Sequence, residues 1–318
     1  MTRIAGVLLA GVGALTLPAC HRQDAPVTVS GSSVGPRYYI VGKDGARTRE
    51  GRKLLPGFGV VVEEQRMSGG ELLGRTSLGR DIPMNELRPA APSQFAGVHL
   101  DGQALDFGWV VKEGAPVYAR PDNASKVVAR RARYARLTLS SLDGPQGFYR
   151  VAQGWMAEAD LRVPRLAPRP TVVVNGDGEP WLDVDLATQT LVAYQGDKPV
   201  FATLVATGIG AEGSPFATPK GIHRISAKLL AATMDNLDHT GVVPYSYEEV
   251  PFTQYIGRVA LHGAFWHDQF GAPRSHGCIN LTLPDAEWLF GFTRPALAEG
   301  EHEIAASVRQ PGTVVQIR

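Results

Sequence analysis

The sequence predicts a mainly β protein: two small β-barrels followed by a larger β-rich sandwich domain with few helices. Three observations carry this. Apolar residues fall in short runs with frequent alternation, which is the strand period. Glycine (36) and proline (23) punctuate the 318-residue chain often enough to end most elements early. In the last domain one helix is expected, over 284–292: Thr282 as cap, Pro284 in the first turn, Asp285 at the positive end and Pro295 as the stop. Hydrophobic residues are 44% of the chain and charged residues 20%, enough to build cores. Lys+Arg (32) balance Asp+Glu (31), which argues against a nucleic-acid partner.

The amino terminus reads as an address. Arg3 precedes an apolar run, 4–17, the length of a signal-peptide core and shorter than the ~20 residues of a membrane span. The run ends in Leu17-Pro18-Ala19-Cys20, which resembles a bacterial lipobox. Residues 1–19 are then a lipoprotein signal peptide, Cys20 the lipidated first residue and 20–36 a polar tether. The resemblance implies a body facing the periplasm and held to a membrane by acyl chains. His21, rather than Asp, after the cysteine favours the outer membrane. The alternative is an ordinary secretory signal. With Cys20 lipidated, Cys278 is a thiol without an intramolecular partner. Such a residue is either buried and inert or kept for reactivity.

Two segments follow, 37–92 and 93–166. Each holds short β-rich runs, such as Gly59-Val60-Val61-Val62 and Trp109-Val110-Val111. Each closes with acidic-Leu-Arg and a proline, at Glu86-Leu87-Arg88-Pro89 and Asp160-Leu161-Arg162-Val163-Pro164. The second resembles bacterial SH3-like domains through Pro116-Val117-Tyr118-Ala119-Arg120-Pro121 and Gly147-Phe148-Tyr149-Arg150-Val151 leading into Gly154-Trp155-Met156. The first is a weaker match. Such modules bind cell wall in some exported proteins, or act as a spacer or lid. Tyr118 and Trp155 are expected in the barrel core. A stiff Pro- and Arg-rich linker leads to a last domain, 171–318. There 181–186 and 190–194 read as a hairpin, 198–205 as a third strand, and 257–262 and 312–317 as two more.

The chemistry concentrates between residues 262 and 280. Three of the eight histidines, His262, His267 and His276, lie there with Cys278. A thiol is a nucleophile as thiolate, and a neighbouring imidazole can take its proton. Gly277 suits a sharp turn where the absent Cβ admits substrate. Backbone N–H groups at such a turn can stabilise an oxyanion. A zinc set of His262, His267, His276 and Cys278 is the weaker reading, because the spacing is not helical and Gly277 goes unexplained.

Ser275-His276-Gly277-Cys278-Ile279-Asn280, preceded by Leu261-His262-Gly263, closely resembles the signature of L,D-transpeptidases, the YkuD-like peptidoglycan enzymes. The resemblance extends through Asp183-Val184-Asp185-Leu186, Thr207-Gly208, Thr218-Pro219-Lys220-Gly221 and Val250-Pro251-Phe252-Thr253. It implies a Cys278 nucleophile, a His262 base and acid, and a Gly263 carbonyl that orients the imidazole. Gly277 and Cys278 match the oxyanion-donor backbone, Ser275 a local bond at the turn, and His276 and Asn280 positions that shape the site. Trp266, His267, Tyr245 and Met234 are candidate substrate contacts, packing being the default for each. The implied partner is a peptidoglycan stem peptide, with no cofactor and no metal. Arg274 is placed to meet a stem carboxylate, or else is a solvated surface charge. The resemblance also implies acylation of Cys278 by carbapenems. It leaves open whether an amine, a protein lysine or water accepts the acyl group. A non-catalytic wall-binding lipoprotein remains the third reading.

Overall fold

The computed structural model describes residues 37–318, apart from 103, 142–144, 146, 174–177 and 238–242. The signal peptide, Cys20 and the tether lie outside the described residues. What is described is mainly β, with one α-helix among the described residues, Leu283–Phe292.

The carboxy-terminal region stacks two sheets. One runs in the order Gly221–Arg224, Val314–Ile317, Pro180–Asp185, Thr190–Gln195, Lys198–Leu204, Val98–His99. The expected hairpin is there: Trp181 pairs with Tyr194 and Asp185 with Thr190. The other sheet places Val259–Gly263 between Ile279–Leu281 and Ser246–Ile256, and Ala227–Asp235 pairs antiparallel with the latter. Leu182, Val184, Leu191, Leu261, Ile279, Leu281 and Leu289 meet between the sheets and the helix. All are fully buried, and each such side chain stabilises the fold by about 1.5–3 kcal/mol.

The helix forms where its signals predict. Thr282 Oγ1 accepts from the Asp285 backbone N–H, and Pro284 occupies the first turn. At its far end the buried Lys228 Nζ donates to the carbonyls of Phe290 (2.5 Å) and Thr293 (2.9 Å), where the helix leaves acceptors unpaired. Trp181 is fully buried, stacks on Tyr194 at 4.1 Å and donates its indole N–H to the Gly196 carbonyl. The paired acids of the opening strand, Asp183 and Asp185, hold Arg318 at 3.0 and 2.9 Å.

The two amino-terminal segments are joined to this sandwich rather than strung before it. Gly59–Ser68 of the first meets Ser246–Ile256 through the pair Tyr247 and Gly59, so that sheet continues through Gly59–Ser68 to Arg37–Val41 and Leu87–Pro89. Glu248, 1% exposed, accepts from Val61 N–H (3.3 Å), Ser77 Oγ (3.4 Å) and Arg80 Nη1 (3.3 Å) across the junction. The second segment has its own core of Val110, Val117, Leu139, Val151, Met156 and Leu161. Tyr118 and Trp155, expected inside it, are instead half-buried neighbours across the sheet. Strand alternation gives the interior to Val117 and Met156.

Candidate active site

His262 and Asn280 face each other across two parallel strands, Val259–Gly263 and Ile279–Leu281. Alternation sends Leu261, Ile279 and Leu281 into the core. It leaves His262, Asn280 and Cys278 together on one cavity of about 290 Å³. Met234, Tyr245, Tyr247, Trp266, His267, Arg274, Ser275 and His276 complete its lining. The structure thus gathers every candidate side chain of the last domain that the sequence singled out. The backbone positions Gly263 and Gly277 flank it.

The turn that presents the thiol is tied at several points. Gly277 has φ +120°, and a Cβ there would lie 3.2 Å from Val259 and 3.3 Å from the Ala217 carbonyl, so glycine is required. Ser275 Oγ donates to the Cys278 carbonyl (2.5 Å) and accepts from Gly277 N–H (3.1 Å). The Gly277 amide is therefore engaged by Ser275. Thr218 Oγ1 donates to the Gly277 carbonyl at 2.8 Å, and the Thr207 carbonyl accepts from the amides of Arg274 and Ser275. The Thr207-Gly208 and Thr218-Pro219 motifs serve as buttresses of this turn.

His262 is 2% exposed, and its Nδ1–H donates to the Gly263 carbonyl at 3.1 Å. That leaves the Nε2 lone pair as the ring's proton acceptor. Burial lowers the imidazole pKa to about 4, against a smaller opposing effect of the Gly263 carbonyl. Cys278 is half-buried, and desolvation raises its pKa, with a backbone contact at Ala260 working the other way. The cavity thus holds a neutral thiol and a neutral imidazole.

Aromatic rings wall the cavity. Tyr247 stacks on Trp266 at 3.8 Å, and Trp266 lies 5.7 Å from His262. His276 sits between Tyr245 (5.2 Å) and Phe216 (4.9 Å). Arg274 brings the cavity a cation, its Nη1 donating to Gln269 at 2.6 Å. Tyr247 escaped the sequence reading, although it stands only two residues after Tyr245, just inside the strand Ser246–Ile256, with the two rings stacked at 6.0 Å. A larger cavity of about 710 Å³ lies between residues 91–98 and Trp109, Tyr134, Arg136 and Asp268, but no thiol and no histidine lines it.

Residues 179–317 match the family model of the YkuD L,D-transpeptidase catalytic domain. The carboxy-terminal domain is a YkuD domain. A curated relative, YciB of Bacillus subtilis, provisionally named an L,D-transpeptidase, is 23% identical over 119 residues. That match takes in 35% of this chain and 59% of YciB, so the chain spans about three fifths of that relative. Among solved structures, the Enterococcus faecium L,D-transpeptidase is 23% identical over 45% of this chain and 50% of its own, with TM-score 0.33. An L,D-transpeptidase from Mycobacterium smegmatis is 14% identical over 81% of this chain and 99% of its own, with TM-score 0.33. The YkuD match contains both His262 and Cys278.

Proposed function

We propose that the protein is a peptidoglycan L,D-transpeptidase acting through a Cys278 thioester. The observation that carries this reading is the meeting of Cys278 and His262 in one cavity of a YkuD domain. His262 Nε2 takes the thiol proton as sulfur attacks the carbonyl that joins the third stem residue to the terminal D-Ala. A carbon–sulfur bond forms. As the tetrahedral intermediate collapses, the carbon–nitrogen bond breaks, and His262 returns the proton to the departing D-Ala amine. An acceptor amine, the side chain of a neighbouring stem, then attacks the thioester. It loses its proton through His262 to the sulfur and completes a 3→3 cross-link. With Gly277 N–H held by Ser275, the oxyanion needs another donor, and Cys278 N–H is the motif's remaining one.

The envelope placement, with Cys20 lipidated and the outer membrane as anchor, belongs to the same proposal. The lipobox supports it. The domain division 37–92, 93–166 and 171–318 is likewise proposed, from the repeated segment endings.

The test is incubation of the protein, freed of residues 1–20, with a purified disaccharide-tetrapeptide, beside Cys278→Ala. Mass spectrometry should find a dimer that has lost one D-Ala, absent with the variant. Tripeptide alone would make water the acceptor and the enzyme an L,D-carboxypeptidase. Covalent uptake of a carbapenem by Cys278→Ala would sink the nucleophile assignment.

A further inference from the structure

His267 has one ring proton to place, and two neighbours decide where. The backbone N–H of Gln269 donates to Nδ1 at 3.1 Å. A backbone amide is always a donor, so Nδ1 holds the lone pair. Burial, then the Arg274 cation, lowers the ring's pKa to about 4, so it is neutral. Its one N–H is therefore on Nε2. The carboxamide of Asn280 lies 3.0 Å from that nitrogen. A carboxamide's two ends are alike in shape, and the hydrogen-bond network assigns them. An N–H at Nε2 needs an oxygen opposite it, so Oδ1 of Asn280 faces His267. The NH2 then occupies the amide's other position. That position is buried and has no partner within the protein. Asn280 itself is 3% exposed and lines the cavity beside Cys278.

We propose that His267 is a positioning residue: it locks the Asn280 carboxamide so that a buried, unpaired NH2 is presented to the cavity next to the thiol. The proposal rests on the transpeptidase reading for its substrate. A buried donor without a partner is costly, and a ligand oxygen placed there recovers that cost. The position favours a carbonyl or carboxylate oxygen of the acyl donor and disfavours an ammonium or an amide N–H. The acceptor amine consequently approaches the thioester from another side of the cavity.

Two experiments test it. The first is a long-range 15N–1H correlation spectrum of the full mature protein with labelled histidine at neutral pH. It should show the His267 ring protonated at Nε2 alone. A ring protonated at Nδ1, or at both nitrogens, overturns the inference. This readout does not depend on any substrate, so failure of the transpeptidase reading leaves it intact. The second is steady-state kinetics on disaccharide-tetrapeptide with thermal unfolding alongside. Asn280→Asp keeps an oxygen for His267 but replaces the cavity donor by an acceptor. Its KM should rise roughly ten- to a hundredfold with the unfolding midpoint preserved. His267→Gln supplies an N–H to the same oxygen and should hold KM within about threefold. His267→Phe supplies none and should raise it about tenfold. Equal KM for Gln and Phe at position 267, or an unchanged KM for Asn280→Asp, overturns the inference.

Discussion

The Tyr134 hydroxyl accepts a hydrogen bond from the Phe270 amide at 3.1 Å, across 136 positions of sequence. The same hydroxyl donates to the Asp268 carbonyl at 2.9 Å, a carbonyl that Arg133 also contacts. Arg162 Nε donates to the Gly271 carbonyl at 2.7 Å. The second segment therefore pins the loop between the candidate base and nucleophile. Tyr134 holds φ +65°, a conformation that costs about 1–3 kcal/mol in a non-glycine residue and persists when surrounding bonds over-determine it.

Tyr134→Phe keeps the ring and removes the hydroxyl. Amide exchange at Phe270 should accelerate, and turnover on tetrapeptide should fall several-fold. Global stability should drop by only about 1 kcal/mol. Unchanged exchange at Phe270 would show that the loop does not depend on this bond.

On the other flank, Gly59 packs against the aromatic wall. A Cβ there would stand 2.7 Å from the Tyr247 ring and 2.8 Å from Phe265, whose opposite contact is Tyr38, stacked at 4.2 Å. Gly59→Ala should cost about 1–3 kcal/mol by overpacking. It should also disturb the Tyr247–Trp266 stack, read as altered tryptophan emission and a raised KM. A variant with native emission and KM would show that the wall yields without consequence.

The legibility of this site was uneven. The turn at the candidate nucleophile was readable because its chemistry is local: Ser275, Gly277 and Cys278 bond one another over a few residues. The helix was readable for the same reason, its cap and its Pro284 being adjacent. Five of the sandwich strands showed in their alternation and turns, whereas the long strands Ala227–Asp235 and Ser246–Ile256 were not read. The clamp from Arg133, Tyr134 and Arg162 was invisible, since nothing near those residues encodes a partner more than a hundred positions away. Glu248 was invisible too: a carboxylate buried against Val61, Ser77 and Arg80 looks, in sequence, like one of two solvated acids beside Glu249.

Glu248→Ala should remove the acceptor for those three groups and leave Arg80 unpaired at a half-buried junction. Loss of a buried partner of this kind costs roughly 3–5 kcal/mol. Glu248→Gln, which keeps an acceptor oxygen, should cost distinctly less. Urea unfolding measures both, and equal losses would mean that packing rather than the acceptor matters here.

The histidines also predict how stability depends on pH. His262 and His267 each have a pKa lowered from 6.5 to about 4 by burial. Between those values the unfolded chain binds protons that the folded chain refuses. Stability therefore falls as pH drops from 6.5 toward 4, by up to ~1.4 kcal/mol per pH unit for each histidine. The buried acids Asp183, Glu248 and Asp285 have raised pKa values, and their contribution runs in the opposite sense as they protonate. The clean measurement is a difference: His267→Gln should show a shallower decline than the parent between pH 6.5 and 5. Parallel slopes would mean that His267 is not held neutral in the folded protein.

The short strand Val98–His99 covers the outer edge of Lys198–Leu204, with Val98 opposite Ala202 and His99 opposite Phe201. Gly97 fits so closely there that a Cβ would come within 2.5 Å of the Phe201 ring. Cutting the chain in the linker and keeping only 171–318 would strip that cover. It would expose the unpaired backbone of an apolar strand, a ready template for a second copy. The excised domain is thus expected to self-associate where the longer chain stays dispersed, which makes residues 93–100 the sensible starting point for any shortened version.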